Sequence, residues 1–125
     1  MKIFLISPVK NASFLTQSKM ELYVDFLERS DHQVHWPIRD TKQEDPTGGY
    51  NICRTNFQAI LEANEIHIWY DETSGGSKFD MGGVFMLSLL AEGMGDKIKV
   101  IIANPEEVAD VPGKSLFKVM KRIAD

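Results

Sequence analysis

The sequence predicts a three-layer α/β domain built on a doubly wound parallel sheet, flavodoxin-like or Rossmann-like in layout. Three observations predict it. Strand patterns alternate with helical patterns four times along the chain, which argues βαβ units under helices on both faces. The three most apolar short runs, residues 2–7, 66–70 and 98–102, read as adjacent parallel strands, because strands buried on both faces are apolar throughout. The run 66–70 is followed by a polar glycine turn and then an apolar helix, and open α/β sheets bind ligands at such strand ends.

The elements follow in order. Lys2 to Ser7 is the first, central strand, ended by Pro8. Ser13 is a candidate N-cap for a helix running to Ser30–Asp31, with Leu15, Leu22 and Phe26 at helical spacing beside Tyr23 and Leu27. His32 to Trp36 is a short second strand. Pro37 to Tyr50 is a long irregular segment of turn residues, and such loops inside compact domains are more often functional than idle. Asn51 is expected to cap the next helix, whose stripe Ile52, Asn56, Ala59 and Ile60 has one polar member, Asn56. Ile66 to Tyr70 is the β-branched and aromatic third strand, and Asp71 to Gly76 the turn. From Lys78 apolar residues crowd every face, which predicts a helix buried on all sides. Glu92 to Asp96 is a glycine-rich turn, Lys97 to Ala103 the fourth strand, and Lys114 to Ile123 the closing helix.

Size and charge narrow the function. A chain of 125 residues suits one domain, 1–125, with one core. The net charge of −4 and the lack of a basic run give no footprint for a nucleic-acid polymer. No apolar run approaches a membrane span of ~20 residues, and the first residues lack a signal-peptide layout. The single cysteine, Cys53, excludes an internal disulfide and a cysteine zinc cluster, and fits a reducing cytoplasm; it reads as a small buried hydrophobe. The three histidines, His32, His35 and His67, lack ligand spacing, so no metal is expected, and no nucleotide-cofactor or hydrolase motif occurs.

Two features carry chemistry. Ser74-Gly75-Gly76-Ser77 before a helix stacks backbone N–H groups and two hydroxyls into an anion site, or is simply a capped glycine turn. Asp80, expected in the first helical turn, either serves only the helix dipole or is a carboxylate held at the mouth of the strand-turn-helix crevice.

The stretch Gly76-Ser77-Lys78-Phe79-Asp80-Met81-Gly82-Gly83-Val84 resembles the nucleoside 2-deoxyribosyltransferase signature, glycine-threonine-x-x-glutamate-hydrophobic-glycine-x-alanine. Ile3 to Pro8 is similar to that family's first strand, and Asn56 to Ile60 with Asn64-Glu65 resembles the helix and acidic pair before its third strand. The resemblance runs from residue 1 to about residue 103. It implies cleavage or transfer at an N-glycosidic bond of a (deoxy)nucleoside or nucleoside 5′-monophosphate, by retaining chemistry in which a carboxylate attacks the anomeric carbon. Asp80 falls at the nucleophile position, one methylene shorter than the usual glutamate, and Asn56 replaces an aspartate near the base or acid position. Ser74 stands where transferases carry an aspartate that handles the base, and Phe4 where many members have an orienting tyrosine. These departures favour a nucleotide N-glycosidase over a standard transferase. The alternative is a weakly catalytic or silent nucleotide-binding module that signals to a partner. Ser7, Lys10, Asn11, Ser74, Gly75, Gly76 and Ser77 are the expected phosphate donors; Asp40, Asp45, Thr47 and Gly48 are expected at the entrance, and Asp71 at the strand end. No cofactor is expected. The resemblance implies a homodimer or higher homo-oligomer, with a neighbour completing the site.

Overall fold

The computed structural model describes residues 1–10 and 12–125. The chain runs β1 (Lys2–Ile6), α1 (Phe14–Arg29), β2 (Gln33–His35), α2 (Pro37–Asp40), α3 (Tyr50–Glu62), β3 (Glu65–Ile68), α4 (Gly75–Gly93), β4 (Lys99–Ile102) and α5 (Leu116–Ala124), with one 3-10 turn at Pro105–Glu107. The four strands form one parallel sheet in the order β2-β1-β3-β4. The three apolar runs are indeed neighbours: Ile3 pairs with Glu65 and Ile6 with Ile68, and Ile66 pairs with Val100.

Alternation along the strands feeds two cores. Phe4, Ile6, Ile66, Ile68 and Val100 point to one face, where Ile60 of α3, Met81 and Val84 of α4, and Phe117 and Met120 of α5 cover them. Ile3, Leu5 and Val34 point to the other, under Met20, Val24 and Leu27 of α1, with Trp36 and Trp69. On that second face β3 also buries two polar residues. His67 bonds Tyr23 Oη at 2.6 Å through Nδ1 and Glu65 at 3.0 Å through Nε2, and Lys99 Nζ reaches Glu65 at 3.0 Å. Each of these two polar groups therefore has a partner, as burial requires.

Three expectations are corrected. α4 is not buried on all sides. It buries Ser77, Asp80, Met81 and Val84 and leaves Phe79, Met86, Leu89, Leu90 and Met94 exposed, because the sheet can cover only one stripe of a helix. α1 likewise turns Leu15, Leu22 and Phe26 outward and buries Met20, Val24 and Leu27. α3 starts one residue before Asn51: Gly49, at φ 109°, is the N-cap, a left-handed conformation that glycine takes at no steric cost.

Two neighbouring glycines in α4 have opposite reasons to be there. A Cβ on Gly83 would overlap the Phe57 ring of α3, whereas one on Gly82 would meet nothing within 4 Å. Gly82→Ala should therefore raise stability by up to ~1 kcal/mol through helix propensity. Gly83→Ala should lower it by ~1–3 kcal/mol through overpacking. Urea unfolding of both variants checks this, and equal effects would show that α3 does not pack on Gly83.

Candidate active site

The chain order of the sheet reverses between β1 and β3, and a cleft of about 550 Å³ opens at their carboxyl ends. That volume suits a small organic ligand. Four segments line it: Ser7, Val9 and Lys10 after β1; Pro37 at the start of α2 with Gln43, Gly48 and Gly49 of the loop that follows; the α3 face with Ile52, Cys53 and Asn56; and Thr73 to Gly76 with Phe79 and Asp80.

The turn after β3 is tighter than the sequence suggests. Asp71 accepts from Thr73 N at 2.9 Å and Thr73 Oγ1 at 2.7 Å, so the chain reverses at once. Ser74 then caps α4, its Oγ accepting from Ser77 N at 3.2 Å. Gly75 and Gly76 are thus the first two residues of the helix rather than a loop before it. Both line the cleft, and their N–H groups have no partner among the described residues. Ser7, on the β1 wall, is buried, and its hydroxyl has no partner among the described residues. Lys10 brings a positive charge to the same wall. The cleft therefore gathers unspent donors near a helix N-terminus, an arrangement suited to an anion.

Asp80 is the sixth residue of α4, one turn deeper than expected, and lies on the stripe that faces the cleft. It is only 7% exposed. Among the described residues it has no salt bridge or hydrogen-bond partner, and burial alone pushes its pKa up to about 7. Asp80 lines the cleft together with Gly75 and Gly76.

The remaining predicted residues divide between cleft and scaffold. Gly48 and Asn56 line the cleft. Ser77 is fully buried behind the first turn; its N–H is taken by Ser74, and its hydroxyl has no partner among the described residues. Asp45 braces the loop onto α3 through Thr47 and Ile52 N, the latter at 3.0 Å. Asp40 caps Trp36 N at 2.8 Å and pairs with Arg39 at 2.8 Å, an arginine that also clasps Glu28. Asp40, Asp45 and Asp71 thus hold the loops that frame the cleft and do not line it. Asn11 lies outside the described residues. Sequence reasoning does not single out Gln43, Thr41 or Phe79. Gln43 is tied to Pro37 O at 3.0 Å and Thr41 O at 2.8 Å, and no spacing in the loop marks either residue. Phe79 reads as core in the sequence but stands exposed at the cleft edge.

The raised pKa of Asp80 has a consequence for stability. Between its ordinary 3.8 and about 7, the folded chain keeps a proton that the unfolded chain has released. Stability therefore falls as pH rises through that window and stays reduced above it. Asp80→Asn removes this titration. Relative to wild type, the variant should gain stability from pH 4 to pH 8, by a few kcal/mol at most, since each tenfold change in proton affinity is worth ~1.4 kcal/mol. Urea unfolding at several pH values reads the difference; a gain that does not grow with pH would contradict burial of an unpaired carboxyl.

No family model matches the chain, and no curated protein matches it in sequence. Among solved structures it is similar to a 2-deoxyribosyltransferase from the psychrotolerant bacterium Bacillus psychrosaccharolyticus, with a TM-score of 0.59 at 18% identity, over 96% of this chain and 90% of that one. At that identity the likeness is one of architecture: this four-stranded parallel α/β domain has the fold of a 2-deoxyribosyltransferase.

Proposed function

We propose that the cleft binds a (deoxy)nucleoside or nucleoside 5′-monophosphate and cleaves its N-glycosidic bond, with Asp80 as the attacking carboxylate. The observation that carries this reading is the lone carboxyl of Asp80. It is buried, unpaired among the described residues, and open to a ligand-sized cleft at the sheet's switch point. A carboxyl that the fold leaves unpartnered at a cost in stability is available for chemistry. The fold shared with a 2-deoxyribosyltransferase supports the same reading.

In the proposed reaction an Asp80 oxygen bonds to the anomeric carbon as the bond from that carbon to the base nitrogen breaks. The electron pair leaves with the base, which takes up a proton. Water or a second base then attacks the same carbon and releases Asp80, so configuration is retained overall. The N–H groups of Gly75 and Gly76, with Ser7, Ser74 and Lys10, bind the 5′-phosphate. Asn56 faces the base. Asp80 must be ionised to attack, so base release should rise through pH 7. No cofactor takes part.

The second reading, a nucleotide-binding module with little catalysis, has one observation in its favour. Phe4 is fully buried and offers no hydroxyl to Asp80, so nothing supplied by that position lowers the carboxyl pKa. The deciding experiment incubates the protein with nucleosides and their 5′-monophosphates at pH 8 and looks for free base. Monophosphates should be cleaved, and Asp80→Asn should abolish release while binding stays within ~10-fold, about 1.4 kcal/mol. Full turnover by Asp80→Asn would remove the nucleophile assignment. Binding without cleavage by wild type would favour the silent module.

The proposed assembly is a homodimer through the outer face of α4. Met86 is 57% and Leu90 59% exposed, and Phe79 and Met94 extend the same patch. Contiguous apolar surface of this kind marks an interaction site, and Phe79 joins it to the cleft edge. Sedimentation should give a dimer for wild type and a monomer for the double variant Met86→Glu, Leu90→Glu. A monomeric wild type at tens of micromolar would exclude this interface.

A further inference from the structure

Behind Asn56, a chain of hydrogen bonds leads away from the cleft. Thr41 Oγ1 lies 2.6 Å from Asn56 Oδ1, and His35 Nε2 lies 2.8 Å from Thr41 Oγ1. Neither Thr41 nor His35 lines the cleft. Thr41 faces the amide oxygen Oδ1 of Asn56 and donates its hydroxyl proton to it. A hydroxyl has one proton, so Thr41 can only accept from His35, and His35 must carry its proton on Nε2.

Each link is held from behind. Thr41 is 4% exposed and Asn56 is 7% exposed, so water has little access to compete for the bond. The His35 ring stacks on Phe4, with centroids 5.3 Å apart and planes 14° apart, and Phe4 is completely buried in the sheet. Burial also holds His35 below the usual histidine range, which keeps the ring neutral at neutral pH. With Oδ1 taken, the remaining polar end of Asn56 is its NH₂ group. No acceptor meets that group among the described residues, while Asn56 itself lines the cleft.

We propose that His35 and Thr41 are positioning residues that lock the Asn56 amide with its NH₂ group toward the cleft, so that the cleft selects bases presenting an oxo group over bases presenting an amino group. The choice of base rests on the function proposed above; the orientation of the amide does not. An amino group opposite the locked NH₂ would set donor against donor and leave both unpaired. Sites built on such a bond discriminate strongly against the analogue that cannot make it. An amide free to rotate would present its oxygen instead and lose the preference.

Two measurements test this. Long-range proton–nitrogen correlation on ¹⁵N-labelled protein at pH 7.5 should show His35 in the Nε2–H form. A His35 ring protonated on Nδ1 alone would turn the Thr41 hydroxyl toward His35 and overturn the orientation, whether or not any ligand binds. Calorimetric titration should then show inosine 5′-monophosphate binding at least ~10-fold tighter than adenosine 5′-monophosphate, and uridine tighter than cytidine 5′-monophosphate. Thr41→Val should bring these ratios toward one, while Thr41→Ser, which keeps the hydroxyl, should preserve them; unfolding curves verify that both variants are folded. Equal affinities in wild type, or a ratio unchanged in folded Thr41→Val, would overturn the selectivity. Should none of the four nucleotides bind, the nucleotide reading falls, while a His35 ring protonated on Nδ1 alone would still overturn the orientation.

Discussion

The distance between α3 and α4 is the constraint on which the cleft depends. Gly83 has no side chain, and the Phe57 ring occupies the space that a Cβ there would need. Phe57 follows Asn56 directly, and Gly83 lies three residues after Asp80 on the same helix. The contact that sets how closely the helices approach is thus less than one turn from both polar groups of the cleft. Phe57 also meets Phe79 edge-on, with centroids 5.6 Å apart. Two aromatic rings and one glycine therefore set the width of a polar site. Packed interiors do not deform continuously, so a larger residue at 83 would be felt at Asn56 and Asp80 as well as in stability.

Within that spacing, the protein treats its carboxylates unequally. Asp40, Asp45 and Asp71 each receive hydrogen bonds from nearby backbone or side chains, and Glu65 is held ionised between His67 and Lys99 despite its burial. Of these five, Asp80 alone has no partner among the described residues, and its pKa moves up to about 7. A fold that needed Asp80 only for its helix dipole would have placed it nearer the N-terminus, where the dipole acts. Six residues into α4, the dipole is a weak reason for a buried charge.

Much of this was legible in the sequence because it depends on runs and periods. Residues 2–7, 66–70 and 98–102 read as neighbouring strands since an apolar run flanked by breakers has few other uses in an α/β chain. The switch-point cleft, the glycine turn and the polar exceptions Asn56 and Asp80 followed from the same pattern. What did not follow depends on single local bonds. Gly75 and Gly76 read as turn residues, yet a serine cap turned them into the helix start. Asp45-Pro46-Thr47 and Asp71-Glu72-Thr73 share one spacing, and in both the threonine bonds the aspartate two residues earlier. That Asp-x-Thr signature was available as a sign that both carboxylates are committed to turns. Thr41 carried no such mark, because its partners His35 and Asn56 are brought to it by the sheet and by α3.

The apolar excess of α4 is where sequence and fold diverge most, and the divergence bears on the site. Periodicity counts apolar residues but cannot say what covers them. A helix lying on a sheet buries about one stripe, and here that stripe includes Asp80, Met81 and Val84. Phe79, Met86, Leu90 and Met94 are left outside, and the sheet of this chain has no surface left to bury them. Phe79 belongs both to this outward row and to the cleft wall. Anything that covers the row as far as Phe79 would therefore reach one edge of the cleft. Exclusion of water would strengthen every donor that faces the cleft and keep the Asp80 carboxyl in the low-dielectric setting that raises its pKa. A cover on the apolar face of α4 would thus act on Asp80 in the same direction as the burial that the single chain already provides.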